Sequence, residues 1–550
     1  MIKCKITSTV LLVTVMVLGS GAIGSAGIDG FEVRSIDGTG NNIDYPEYGS
    51  AGEVLLRFSD VGYTDGVQEP AGQYTRMSAR YISNLLAAQN ESILNASNAS
   101  DFLWQWGQFL DHDMDLTPEA YPSEPFNIEV PPGDALFDPN YDGDKLIFLN
   151  RSEYKREVTN REPRQQITQV TSFIDASNVY GSDEERAAAL RTFKGGKLKT
   201  TNNGQFLPFN TDGLDNAGGP DPNLYLAGDV RANEQIDLTA MHTLFVREHN
   251  RLCDEFAREN PDFEDEDIYQ CARKIVGAQM QVITYKEFLP ILLGPDALPD
   301  YYRYNPRFNP GVANEFSTAA FRFGHSMLSP TLLRVNKAGK ELLSTSLKDA
   351  FFNPQLIHEG GDISALLLGL AHQQAQEIDN KIVSGVRNFL FGEPGAGGFD
   401  LAALNIQRGR DHGLADFNSV RMAYGLRPVK SFNAITSFER VQNDLRRAYG
   451  VIYDKEADAY YDKVDSIDLW VGGLAEDHMP GALVGITFYT IIRDQFLRLR
   501  DGDRFWYQND RFFTSNESLM EEVEKTRLSD IIRRNTKAGD ELQTNVFIVQ

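Results

Sequence analysis

A histidine set between two aspartates is the pattern in this sequence best suited to chemistry. His112 lies between Asp111 and Asp113, in the stretch from Trp104 to Thr117. Neighbouring carboxylates favour the cationic form of a histidine, which suits acid/base catalysis or a role beside a metal. Taken alone, the stretch also fits the solvated acidic end of a helix. Its chemistry therefore depends on partners from elsewhere in the chain.

Motifs of several other enzyme classes are missing from the sequence. It has no HExxH zinc motif, no GxSxG elbow, no P-loop and no CxxC pair. The aspartate runs that begin at Asp111 and Asp138 resemble the opening of an EF-hand loop. Their twelfth residues are Pro122 and Leu149, where calcium binding needs glutamate. Neither run is therefore interpreted as an EF-hand.

The charge of the chain limits its partners. The 550 residues include 53 Lys and Arg against 78 Asp and Glu, a formal net charge of −25. Such an acidic chain is poorly suited to nucleic acid or to an anionic membrane surface. The apolar content of 41% is that of an ordinary globular protein with a sizeable core.

The N-terminus has the layout of a secretory signal peptide. Lys3 and Lys5 precede an apolar run, residues 10–18, and small residues follow. The run is far shorter than the roughly 20 residues of a membrane-spanning helix, so no transmembrane anchor is expected. Cleavage after Ala22 or Ala26 fits equally well. We expect a signal peptide at 1–26, a mature domain at 27–550, and a secreted or periplasmic location.

The two cysteines of the mature chain lie in neighbouring helical patterns. Apolar spacing predicts one helix over 238–259 and another over 265–286, broken at Pro261. Cys253 and Cys271 lie almost symmetrically about this break, so an antiparallel helix pair would bring them together. An exported protein favours disulfides, and we predict a Cys253–Cys271 bridge. Two buried thiols are the alternative.

Helical patterns dominate the remaining chain, and no repeat or linker divides it. The sequence therefore predicts a mainly α fold with little β structure, in a single large domain. The further predicted helices cover residues 78–90, 99–109, 183–192, 364–378, 414–424, 438–449, 480–499 and 518–527.

At this point the sequence resembles the animal-type haem peroxidase family, which includes myeloperoxidase, lactoperoxidase and peroxidasin. The likeness extends over nearly all of the mature chain, and its motifs come in the family's order. They are residues 35–42 (SIDGTGNN), 171–181 (TSFIDASNVYG), 241–250 (MHTLFVREHN), 321–325 (FRFGH), 404–408 (LNIQR), 410–413 (RDHG), 501–506 (DGDRFW) and 545–547 (NVF).

The resemblance implies a haem b cofactor and a role for each of five residues. His325 would bind the iron, and Asn405 would hydrogen-bond its other ring nitrogen. His112 would take a proton from hydrogen peroxide and return it, while Arg231 stabilises developing charge and Gln108 holds water and halide. An oxoferryl intermediate would follow. Local sequence alone would make His325 a core histidine.

Further residues match haem attachment in the family. Asp111 and Glu234 match carboxylates that form ester links to haem methyl groups, and Arg322 matches a residue near a haem propionate. Gln235 stands where myeloperoxidase has a methionine that makes a third link. The resemblance therefore implies two esters at most. It disfavours chloride, and leaves bromide, iodide, thiocyanate and phenols as reductants.

The resemblance also implies one Ca²⁺ beside the distal histidine. Its ligands would be Asp113, Thr171, Asp175, Ser177 and the carbonyl of Phe173. Carboxylate, hydroxyl and carbonyl oxygens are the ligands that calcium prefers.

Two other functions remain as alternatives on the same scaffold. A fatty-acid dioxygenase of the cyclooxygenase branch uses a tyrosine three residues before the proximal histidine, and here that residue is Arg322. A haem-free adhesion module would have no need of His112, Arg231, His325 and Asn405. The sequence therefore favours a monomeric peroxidase that uses hydrogen peroxide and small anionic or phenolic reductants.

Overall fold

The computed structural model describes residues 30–155, 162–454 and 459–550. The predicted signal peptide, residues 1–26, lies outside the described residues. The chain is 40% helix and 9% strand and forms a single domain, so the mainly α prediction is confirmed. The helices are α1 Ala79–Leu86, α2 Phe102–Met114, α3 Ser177–Tyr180, α4 Glu184–Leu190, α5 Ile236–Glu259, α6 Asp265–Ile283, α7 Leu289–Leu293, α8 Asn314–Thr318, α9 Leu347–Ala350, α10 Ser364–His372, α11 Ser384–Arg387, α12 Leu401–Asp411, α13 Phe417–Ala423, α14 Glu439–Tyr449, α15 Leu469–Ala475, α16 Ile486–Asp501, α17 Arg511–Thr514, α18 Glu517–Lys525 and α19 Leu528–Asn535.

The strands of the described chain are short and pair only as antiparallel hairpins. None of these hairpins builds a core. The pairs are β1 Ile128–Glu129 with β2 Leu146–Ile147, β3 Thr331–Leu332 with β4 Thr345–Ser346, and β5 Val451–Asp454 with β6 Ala459–Asp462.

Helix α2 is the buried centre of the fold. Phe102, Trp106 and Phe109 have no exposed surface, and the ring of Trp106 packs against Phe245 of α5 and Phe547 near the C-terminus. The predicted helix 99–109 stops five residues too early, because α2 continues to Met114. The acidic residues that suggested a solvated helix end are therefore carried into the interior by a helix that is buried on most sides.

Helices α5 and α6 form the predicted helix pair, but the cysteines are not bridged. Both Cys253 and Cys271 are buried thiols, so the disulfide prediction is wrong and the alternative holds. The sulfur of Cys253 lies 3.3 Å from Nε2 of His249, four residues earlier on its own helix. Helical side chains lean back toward the preceding turn, and this direction takes the thiol along α5 instead of across to α6.

Three segments differ from the sequence prediction. The predicted helix 364–378 ends at His372, because the following residues pair as extended chain, with Ser100 opposite Gln374. Helix α12 and the 3₁₀ helix Ala320–Ser326 were not predicted. Both are buried on several sides, so neither shows the one-sided apolar pattern by which a surface helix is recognised.

One continuous hydrophobic core joins these helices. Within the three described ranges, no helix is both long and apolar enough to cross a membrane.

Candidate active site

A buried arginine–aspartate pair lies beside the histidine of α2. Nε of Arg231 donates to Oδ1 of Asp229 at 2.9 Å, and Nη2 donates to Oδ2 at 2.8 Å. Nη2 also donates to the backbone oxygen of Asp115 at 2.8 Å, and Nη1 lies 3.7 Å from Oδ2 of Asp111. A guanidinium held at both ends is fixed in orientation. The same Asp229 lies 3.5 Å from Nδ1 of His112.

His112 is neutral in this setting. Its side chain is only 5% exposed, and burial, reinforced by the charge of Arg231, holds its pKa well below the usual value of 6.5. The flanking aspartates of the sequence suggested the opposite direction. The carboxylate of Asp229 faces Nδ1, which favours a proton on that nitrogen and leaves Nε2 as the acceptor.

Gln108 and Glu234 are joined at the start of α5. Nε2 of Gln108 donates to Oε2 of Glu234 at 3.0 Å, and its Oε1 accepts from Nε2 of Gln235 at 3.1 Å. The side-chain oxygen of Gln235, Oε1, caps α5 by accepting from the backbone amides of Asp237 and Leu238. Burial raises the pKa of Glu234 to about 7. These contacts fix the side chain of Gln108, which lies one helical turn before His112 on α2.

A second histidine is held by its own hydrogen-bond chain. Nδ2 of Asn405 in α12 lies 2.8 Å from Nδ1 of His325 in the 3₁₀ helix. Oδ1 of Asn405 accepts from Nη1 of Arg322 at 3.1 Å, and Nε of Arg322 donates to the backbone oxygen of Ser317 at 2.9 Å. Burial and the charge of Arg322 lower the pKa of His325 to about 3, so the ring is neutral. Its Nε2 has no hydrogen bond to any described residue.

The two histidines lie on elements that contact each other. Helix α2 packs against the 3₁₀ helix that carries His325. Burial and the carboxylate of Asp115 raise the pKa of Asp111 to about 7, while Arg231 from one side and Arg322 from the other act to lower it. Asp111 therefore lies within electrostatic reach of both arginines.

Asp113 is tied to the loop 171–177. Its carboxylate accepts from the amides of Asp175 and Ala176 at 3.1 Å, and its carbonyl accepts from Oγ of Ser177 at 2.8 Å. Oγ1 of Thr171 donates to Oδ1 of Asp175 at 3.0 Å. Oδ2 of Asp175 is buried with no hydrogen-bond partner among the residues that the structure describes. Burial and the neighbouring Asp175 raise the pKa of Asp113 to about 8.

The structure places the predicted site residues in three contact groups. They are His112 with Arg231, Asp111, Gln108 and Glu234, His325 with Asn405 and Arg322, and Asp113 with Thr171, Asp175 and Ser177. Phe173 lies in the loop of the third group, fully buried. Sequence reasoning missed Asp229, which holds the guanidinium of Arg231. The available signal was its position two residues before Arg231 in the stretch Gly228–Glu234.

Comparison with known proteins shows the family of the chain. The family model described as animal haem peroxidase matches residues 33–547. Peroxinectin A of Dictyostelium discoideum is 38% identical over 94% of this chain and 96% of its own length. Mouse thyroid peroxidase is 36% identical over 92% of this chain, and Drosophila peroxidasin 34% identical over 94%. The chain spans 59% and 36% of these two longer relatives.

Solved structures show the same relationship. Peroxidase A from Dictyostelium discoideum superposes with a TM-score of 0.85 at 37% identity, covering 94% of this chain and 99% of that one. A fatty acid alpha-dioxygenase from Arabidopsis thaliana superposes with a TM-score of 0.77 at 20% identity, covering 94% and 83%, and this likeness shows the fold alone.

The helical fold and its peroxidase relatives define an oxidoreductase of the haem peroxidase class. The chain belongs to the animal haem peroxidase family.

Proposed function

We propose that this enzyme binds haem b between α2 and the segment Ala320–Ser326, reduces hydrogen peroxide there, and oxidises small anions or phenols. One observation carries the proposal. His325, neutral and held at Nδ1 by Asn405, lies on the 3₁₀ helix that packs against α2. Helix α2 carries the neutral His112, beside which Arg231 is fixed by Asp229. Histidine, arginine and a second, neutral histidine are the donor set that a peroxidase haem needs.

His325 fits the ligand position. Iron binds an unprotonated imidazole nitrogen, and Nε2 of His325 is the ring nitrogen without a hydrogen bond to a described residue. The NH2 group of Asn405 faces Nδ1 and can only donate, so the free ring carries its proton on Nε2. Binding of iron therefore requires this proton to move to Nδ1 and the amide of Asn405 to turn its oxygen toward it. Asn405 fixes the ring orientation through Nδ1. Arg322, anchored to Ser317 and Asn405, would pair with a haem propionate. When bound, haem supplies the iron that splits the peroxide bond and stores the two oxidising equivalents.

His112 would move the proton of the reaction. Its Nε2 accepts a proton from hydrogen peroxide and returns it to the departing oxygen, as base and then acid. The low pKa of His112 keeps Nε2 unprotonated before peroxide arrives. Asp229, 3.5 Å from Nδ1, stabilises the ring while it carries the extra proton.

Arg231 would stabilise the charge that develops on the peroxide oxygens. Its guanidinium is already oriented by Asp229 and the carbonyl of Asp115, so little reorganisation is needed during the reaction. Gln108, held by Glu234 and Gln235, would position water or a halide beside it.

Asp111 and Glu234 would form ester links to the haem. Both carboxyls are partly buried, with pKa values raised to about 7, and both adjoin Gln108 or Arg231 in the group around His112. Residue 235 is a glutamine and has no sulfur for a third link. Its side chain caps α5 instead. We expect bromide, iodide, thiocyanate and phenols to be better donors than chloride.

One Ca²⁺ would join α2 to the loop 171–177. The unpartnered oxygen of Asp175 and the adjacent carboxylate of Asp113 fit a cation, and Thr171, Ser177 and the carbonyl of Phe173 would complete an oxygen ligand set. A chelator should lower the thermal midpoint of the holoprotein, whereas a midpoint that chelation leaves unchanged would contradict this site.

The fatty-acid dioxygenase alternative has no support at the position that decides it. Residue 322 is an arginine whose side chain hydrogen-bonds to Ser317 and Asn405, so no tyrosine lies next to the proximal segment at this place. We also propose export directed by residues 1–26, and a monomeric state. Export follows from the sequence pattern of residues 1–26 and is tested by N-terminal sequencing of the mature protein. The monomeric state is tested by light scattering.

The haem proposal is tested by the visible spectrum. The purified protein should show a Soret band that His325→Ala weakens strongly, while a matched change of the partly buried His372 to alanine, at the end of α10, leaves it intact. Absence of the band in protein supplied with haem would refute the proposal. Haem that extracts freely into acidic organic solvent would contradict the ester links, and Asp111→Asn with Glu234→Gln should release haem that the wild type retains.

A further inference from the structure

Helix α5 carries two histidines, His242 and His249, that have no role in the proposed peroxide reaction. His242 lies against Phe109 of α2, with ring centroids 5.0 Å apart. His249 follows seven residues later on the same face, about 10 Å along the helix axis. There it meets the oxidisable side chains of Tyr180, Tyr269 and Cys253, all of them buried.

The hydrogen bonds of His249 fix its tautomer. Nε2 lies 2.8 Å from the backbone oxygen of Gly196, and Nδ1 lies 2.8 Å from the hydroxyl of Tyr180. A carbonyl oxygen can only accept, so Nε2 carries the proton. Burial lowers the pKa of His249 to about 4, and the ring is neutral at neutral pH. Nδ1 therefore accepts the hydrogen bond that the phenol of Tyr180 donates.

This arrangement makes Tyr180 easier to oxidise than an ordinary buried tyrosine. A phenol that loses an electron becomes a strong acid, and the proton needs a base within reach. Tyr180 has such a base in His249. The ring of Tyr269 lies 5.7 Å from that of Tyr180, but its hydroxyl is buried with no hydrogen-bond partner among the described residues. Oxidation of Tyr269 would therefore leave its phenolic proton without an acceptor.

The helix that carries Tyr180 is hydrogen-bonded to α2, the helix of His112. Tyr180 ends α3, where Oγ of Ser177 donates to the backbone oxygen of Asp113 and Nδ2 of Asn178 donates to that of Phe109. Tyr180 therefore belongs to a short helix that hydrogen-bonds directly to the helix of His112.

We propose that Tyr180, with His249 as its proton acceptor, gives one electron to the peroxide-oxidised haem centre when no external reductant is present. The electron leaves the phenol and reduces that centre by one equivalent. The phenolic proton moves along the existing hydrogen bond to Nδ1, which leaves a neutral phenoxyl radical beside an imidazolium. Hydrogen peroxide is the oxidant, so this step rests on the proposed function. An external phenol later restores Tyr180 by supplying an electron, and the proton returns from His249.

A second tyrosine–histidine pair provides the comparison. The hydroxyl of Tyr225 lies 3.1 Å from Nε2 of His358. Within the described ranges no carbonyl hydrogen-bonds to the other ring nitrogen of His358, which is partly exposed. The pair therefore lacks the enforced acceptor geometry of Tyr180 and His249.

The test uses the holoprotein with hydrogen peroxide and no reductant. Samples are frozen after mixing and examined by electron paramagnetic resonance, with ring-deuterated tyrosine to identify the radical. Wild type should give a tyrosyl signal that Tyr180→Phe loses, while Tyr269→Phe and Tyr225→Phe retain it. His249→Gln should also lose it, because the proton acceptor is gone. Soret absorbance and the thermal midpoint report whether each variant is folded and loaded.

The outcomes separate this inference from the proposed function. A Soret band that peroxide does not change would refute both. A Soret band that responds to peroxide, with no tyrosyl signal or with a signal unchanged in Tyr180→Phe, would overturn only the role of Tyr180. If Tyr180→Phe does not fold, peptide mapping of peroxide-treated wild type decides, since oxidation products must concentrate on the peptide that contains Tyr180.

Discussion

Replacing Asp229 with asparagine tests how the active-site arginine is positioned. In the wild type the carboxylate accepts from Nε and Nη2 of Arg231 at 2.9 and 2.8 Å, and from its backbone amide at 2.8 Å. Asparagine keeps one acceptor, but sets an amide N–H₂ against a guanidinium donor. Arg231 then loses its charge partner and one of the two side-chain hydrogen bonds to residue 229, while its guanidinium stays largely buried.

The structure gives the size of the expected effect. Breaking a buried ion pair from one side costs roughly 3–5 kcal/mol. We expect the low end of that range for Asp229→Asn, because one acceptor and the Asp115 carbonyl remain. Misplacing a preorganised charge-stabilising donor slows a reaction by about 10²–10³. The rate constant for reaction with hydrogen peroxide should fall by this factor. The charge of Asp229 also raises the pKa of His112, so its loss leaves His112 a weaker base.

The assay is stopped-flow absorbance of the holoprotein mixed with hydrogen peroxide, with denaturant unfolding in parallel. Asp134→Asn is the matched control, since Asp134 holds Arg80 through two buried hydrogen bonds of 2.7 and 3.1 Å on α1. It should lose comparable stability and keep its peroxide rate. A peroxide rate in Asp229→Asn equal to that of wild type would refute the positioning argument.

Three further outcomes are expected. Asn405→Ala should lower haem retention or peroxide activity by about 10–100-fold, measured as Soret absorbance per protein, and an unchanged ratio with unchanged activity would contradict its role. The pKa of His249 is about 4 in the folded protein against an ordinary 6.5, so as the pH falls the unfolded state binds a proton before the folded state does. Stability should therefore fall as pH drops from 6.5 to 4, by about 3 kcal/mol, and less in His249→Gln in denaturant unfolding. Mature protein unfolded without reductant should titrate two thiols, from Cys253 and Cys271, whereas zero would restore the disulfide.

The sequence predicted the helical class because most helices have an apolar face with clear period. It failed where burial hides the period. Helix α12, which carries Asn405, and the 3₁₀ helix, which carries His325, pack on several sides. Their apolar residues therefore do not form one stripe.

The candidate site shows the same division between local and distant information. The acidic context of His112 could be read locally, although burial and Arg231 reverse its expected effect on the pKa. The pairing of Asn405 with His325 joins residues far apart in sequence, and only the resemblance to a family pointed to it. The Cys253 prediction used helix symmetry without the direction of the side chain, which lies toward His249.

The most direct test of the account is the reaction of the holoprotein with hydrogen peroxide in wild type and in His112→Leu. The account predicts a rapid change of the Soret band in wild type and a rate about 10²–10⁴-fold lower in the variant, with haem content unchanged. Equal rates in the two proteins would contradict the assignment of His112 as the base, and with it the mechanism proposed for this site.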